Sequence, residues 1–94
     1  MTSESIRPNL RLVAGTSNPY QLALGEVFSE LESARTMFDP MHGPHEGYAV
    51  LLEEVDELWD LVKANRGHQR SARAEARQIA AMAVAYMVEV AGNE

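Results

Sequence analysis

The chain has no cysteine, which removes disulfides, zinc-thiolate sites and thiol catalysis together and fits a reducing compartment. Its longest uninterrupted apolar run, "IAAMAVAYMV" from Ile79 to Val88, falls short of the roughly 18 residues that a membrane span requires. The opening "MTSESIRPNLRLVAG" lacks a basic region followed by an apolar core, so no secretory signal is read and a cytoplasmic protein without membrane contact is expected. No segment alternates apolar and polar residues for more than a few positions, which leaves a β-sheet little support. Lys and Arg are missing from Asp39 to Val62, where seven acids stand, whereas Lys63 to Arg77 holds five basic residues and one acid. With a net charge of −6 over 94 residues, a nucleic-acid polymer is not an expected partner.

What is present reads as helix. Residues 1–17 show no sustained period and are expected to form a flexible arm, leaving 18–94 as a single helical domain. Asn18 is placed to cap a first helix, with Pro19 in the first helical position and Gln21 where a capping-box partner belongs. Tyr20, Ala23, Leu24, Val27, Phe28, Leu31 and Ala34 then recur at three- and four-residue steps opposite Glu26, Glu30 and Arg35, which predicts one buried stripe. The helix should end before Asp39-Pro40. After the loop "DPMHGPHEG", Gly43 and Pro44 signal a second helix running to about Lys63. "ANRGHQRS" interrupts it, with Gly67 near the helix end and Ser71 as the cap of a third helix from Ala72 to Val90. That third helix is apolar almost all round from Ile79 to Val88. A bundle of three short helices cannot easily cover it, so a homodimer or homotetramer is expected.

The stretch "LLEEVDELWD" concentrates the acids. At about 100° per residue, Leu51, Val55, Leu58 and Val62 form a core stripe on the second helix. Glu54 falls inside the apolar arc, where an unpaired carboxylate is expensive. Glu57 and Glu53 continue from it along the edge, while Asp56 and Asp60 point to solvent with Lys63. Acids three or four residues apart share one helix face and repel. A divalent cation removes the conflict, and Mg²⁺ takes a few carboxylate oxygens while keeping waters or phosphates in its other positions. Glu75 and Gln78 repeat the spacing on the third helix. The competing reading is that the charge runs are solvated faces.

"HEGYAVLLEEVDELWDLVK", with Glu53-Glu54-x-x-Glu57, followed by "RAEARQIAAMA", resembles the MazG-like branch of the all-α nucleoside triphosphate pyrophosphohydrolases. The resemblance covers roughly Pro44 to Val90. It implies a small helical bundle completed by oligomerisation, with Mg²⁺, or Mn²⁺ in its place, held by Glu53, Glu54, Glu57, Glu75 and Gln78. It implies hydrolysis of a nucleoside or deoxynucleoside triphosphate to the monophosphate and pyrophosphate. Glu53 or Glu54 is the candidate general base. Gln78 departs from the family pattern, which has Asp there; an amide offers a neutral oxygen but no charge. Lys63, Arg70 and Arg73, near the ends of the two motif helices, are candidates for phosphate contacts. Two alternatives follow from the same residues: a nucleotide-binding protein weak or inactive in catalysis because of Gln78, or a structural helical oligomer. His42 and His45 are expected to shape their loop, Trp59 and Tyr48 to serve core or interface, and Tyr86 to lie on the Glu75 face.

Overall fold

The structure, a computed structural model, describes residues 18–92; the arm expected over 1–17 lies outside them. It is all α: α1 spans Pro19–Met37, α2 spans Pro44–Lys63 and α3 spans Arg70–Glu89. No strand occurs among the described residues. Asn18 caps α1 as the sequence predicts, its Oδ1 accepting from the Tyr20 and Gln21 backbone N–H groups at 2.8 and 3.2 Å. Pro19 and Pro44 occupy first-turn positions of α1 and α2, where a missing N–H costs nothing.

The break between α2 and α3 differs in detail from the expectation. Asn65, not Gly67, carries the left-handed backbone at φ 61°. Arg66 N–H bonds to Leu61 O at 2.8 Å and Asn65 N–H to Val62 O at 3.0 Å, the paired bonds of a Schellman ending. Asn tolerates that conformation because its short polar side chain does. The cap of α3 is Gln69 rather than Ser71. Its carbonyl accepts from both Ala72 and Arg73, so the helix starts two residues earlier and Ser71 lies inside the first turn.

The helices run up, down and up. Gly47 lies against Tyr86 while Glu54 and Glu57 lie near Glu75, so α2 is antiparallel to α3. Pairs Glu26–Arg73 and Glu30–Gln78 make α1 parallel to it. Both outer helices pack mainly on α3, which explains why its apolar residues run almost all round. The core is narrow: Ala34, Met41, Ala81, Met82 and Ala85 are buried, with Val27, Leu31, Val50, Leu51, Tyr86 and Val90 packed around them. A Cβ at Gly47 would sit 2.6 Å from the Tyr86 ring. Gly is therefore what lets α2 approach α3 there.

Two predicted stripes are rotated. On α2 the sheltered positions are Gly47, Val50, Leu51, Glu54, Leu58 and Leu61, whereas Val55 and Val62 are 43% and 45% exposed. The face turned inward is shifted by about 50° from the predicted stripe at 100° per residue, which places Glu54 near its centre. On α1, Glu26, Glu30 and Arg35 are sheltered with Val27, Leu31 and Ala34, while Tyr20, Leu24 and Phe28 are 75%, 57% and 60% exposed. The cause is ionic: α3 presents Arg73, Arg77 and Gln78 to α1, and the α1 acids answer them.

Candidate metal centre and adjoining cleft

The rotation of α2 brings Glu54 and Glu57 onto Glu75 of α3. One carboxylate oxygen from each lies within 4.8 Å of the others. Glu54 and Glu75 are half-buried and Glu57 is exposed. Burial, followed by the charges and contacts of Glu57 and Glu75, pushes the Glu54 carboxyl up to about 7. Glu57 is also held above the usual carboxylate range, chiefly by its contact with Glu75. One oxygen of Glu75, Oε1, is buried with no hydrogen-bond partner. Its neighbours in the trio are carboxylates, so a shared proton, a water or a cation is what can satisfy it. A hard divalent cation fits this donor set, since it favours oxygen ligands and gains from clustered negative charge. Exposed acidic groups of this sort are nevertheless common without an ion.

A cleft of about 620 Å³ opens beside the trio, between the end of α1, the loop after it, α2 and α3. Met37, Phe38, Met41, Val50 and Met82 form its apolar wall, and Glu30, Arg35, His42, Glu53, Glu54 and Gln78 are among its polar residues. Glu53 is exposed and lines the cleft without joining the trio. Gln78 also lines it, but its amide Nε2–H donates to Glu30 Oε2 at 2.6 Å. Of the five expected metal ligands, the structure thus brings Glu54, Glu57 and Glu75 together and sets Glu53 and Gln78 in the cleft alongside.

The expected phosphate contacts lie elsewhere. Lys63 Nζ is 3.4 Å from Asp60 Oδ1 and 5.8 Å from the Trp59 ring centre. Arg73 donates to Glu26 at 2.8 Å, and Arg77 joins the same carboxylate at 3.2 Å. These cations hold Glu26 below the usual carboxylate range, the Arg73 hydrogen bond most of all. Arg70 is exposed at the start of α3. The cation lining the cleft is one the sequence reading assigned to an outward face: Arg35, whose Nη1 lies 2.9 Å from Glu89 Oε2. Glu89 Oε1 in turn accepts from the Met41 N–H at 2.8 Å. The contact fastens the loop wall of the cleft to the end of α3, a long-range arrangement that residue spacing does not reveal. His42 shapes the loop as expected: its N–H donates to Glu46 Oε1 at 2.5 Å and its ring Nδ1 lies 3.1 Å from the same oxygen. Tyr86 packs on Gly47, and Tyr48 and Trp59 are exposed.

Together these features define a three-helix all-α bundle with an acidic interhelical trio beside a mixed polar and apolar cleft. No described protein family, curated protein or solved structure matches the chain.

Proposed function

We propose that the protein is a Mg²⁺-dependent hydrolase of nucleoside or deoxynucleoside triphosphates, yielding the monophosphate and pyrophosphate. The observation that carries this reading is the convergence of Glu54, Glu57 and Glu75 from two helices, with Glu54 also lining the adjoining cleft. Its residues are those in which "EEVDE" and "RAEARQ" resemble the MazG-like pattern. A bare carboxylate cluster that raises the Glu54 pKa to about 7 is poorly satisfied by protein alone, which favours a cation there. The chemistry such an ion supplies is neutralisation of the triphosphate charge and polarisation of the phosphoryl group.

The chain's own groups then divide the remaining work. Glu54, Glu57 and Glu75 bind the cation. Glu53 lines the cleft outside the trio, so its carboxylate is the one free to orient water and accept its proton as the α–β phosphoanhydride breaks. Water contributes oxygen to one product, and the departing phosphate oxygen leaves with the other. The apolar wall of Met37, Phe38 and Met41 suits the face of a nucleobase. Arg35 is the cation of that cleft.

The exposed ridge of Tyr20, Leu24 and Phe28, with Trp59 and Val55 on α2, supports association of copies into a homodimer or homotetramer. Together these apolar side chains leave much surface for a partner to cover. The test of the activity is pyrophosphate release from a panel of nucleoside and deoxynucleoside triphosphates with Mg²⁺. Turnover abolished by EDTA and by Glu53→Gln supports the reading. No turnover with any of them, at protein concentrations that saturate with Mg²⁺, defeats it.

A further inference from the structure

The Gln78 amide has two unlike ends. Its Nε2 is committed to Glu30 Oε2 at 2.6 Å. The opposite orientation would set an amide oxygen against a carboxylate oxygen, two acceptors with no proton between them. The contact therefore selects one orientation of the side chain. The other oxygen, Glu30 Oε1, lies 3.6 Å from Arg77 Nε, a loose ion pair too long for a hydrogen bond. Both Glu30 and Gln78 line the cleft that Glu53 and Glu54 also line, and Gln78 stands one helical turn beyond Glu75 on α3. With one N–H of Nε2 taken up by Glu30, the amide keeps its second N–H and Oε1, and of these only Oε1 can serve a cation.

We propose that Glu30 is a positioning residue for the cation site, fixing the Gln78 amide so that its neutral Oε1 serves the acidic trio as ligand or as acceptor for a bound water. In this account the carboxylate that the family pattern has at position 78 has not simply been lost. Its charge stands one layer back, on α1, and the amide between passes a polarised oxygen forward. The inference rests on the cation reading of the trio.

Mn²⁺ titration calorimetry on the full chain tests it. Glu30→Met keeps the side chain's length and removes the acceptor, and is expected to weaken Mn²⁺ binding by about tenfold or more, the usual cost of losing such an outer partner. The exchanged pair Glu30→Gln with Gln78→Glu restores donor and acceptor with the charge moved forward, and should recover the affinity. Arg77→Met breaks the ion pair of Glu30 with α3 but leaves the amide contact; it should lower Tm without moving Mn²⁺ affinity. Unchanged affinity in Glu30→Met, or an equal loss in Arg77→Met, overturns the proposal. If the wild-type protein binds no Mn²⁺, the cation reading itself fails. The amide contact is then decided by ¹⁵N spectra of the Gln78 side chain: a resonance displaced from the free-amide position and returned to it by Glu30→Met upholds the contact, and a free-amide position in the wild type refutes it.

Discussion

Glu54 sits among two other carboxylates in a half-buried place. Its carboxyl is raised from an ordinary 4.5 to about 7, so the folded chain binds a proton there that the unfolded chain releases. Stability from this group is complete below about pH 4.5 and is lost as pH rises through 7. Metal-free protein should therefore melt at a higher temperature at pH 5.5 than at pH 8 in EDTA, and Glu57, raised in the same direction, adds to the trend. Glu26 and Glu46, both lowered, act in the opposite sense but only below their ordinary range. Glu54→Gln should remove most of the difference and raise the metal-free Tm at pH 8 by about 2–4 °C, a fraction of a kcal/mol in a domain of this size after allowing for solvent screening. If the trio holds Mg²⁺ as proposed, the same substitution should abolish stabilisation by that ion. A Tm independent of pH from 5.5 to 8 would count against the electrostatic account of the trio.

The helices are where the sequence is most legible and where its misreadings are informative. Gly47→Ala should cost about 1–3 kcal/mol, because the added methyl meets the Tyr86 ring in the α2–α3 contact; urea unfolding measures it. Asn65→Ala should cost about 1–2 kcal/mol and Asn65→Gly much less, since only the former opposes the left-handed backbone. Pro and Asn punctuation located the starts of α1 and α2 because those signals act within a few residues. The inward faces of α1 and α2 were less legible. Hydrophobic periodicity sets Tyr20, Leu24 and Phe28 inward, but the chain turns Glu26 and Glu30 toward Arg73, Arg77 and Gln78 instead. A wheel drawn for one helix cannot see the charges of another 47 residues away. The same limit applies to the site: Glu54 and Glu57 were visible as neighbours on one helix and Glu75 through its repeated spacing. Arg35 and Glu30 enter the cleft only through the packing of α1 on α3.

At the scale of the whole molecule, a core of Ala34, Ala81, Ala85, Met41 and Met82 buries little hydrocarbon, at roughly 0.8 kcal/mol per CH₂. Much of the chain's large apolar surface remains outside, including Phe28 at 60% and Trp59 at 53% exposure. A bundle so built should associate, and sedimentation should show more than one copy. Phe28→Ser combined with Trp59→Ser should shift it toward monomer and lower Tm with dilution. No described helix is long and apolar enough to cross a membrane. On the proposed reading, the acidic trio holds a divalent cation once the bundle is assembled. The most direct test of this is the anomalous difference map of crystals grown with Mn²⁺. The account predicts a peak within coordination distance of carboxylate oxygens from Glu54, Glu57 and Glu75, absent in Glu54→Gln; a map with no peak there, while Mn²⁺ saturates the protein elsewhere, would contradict it.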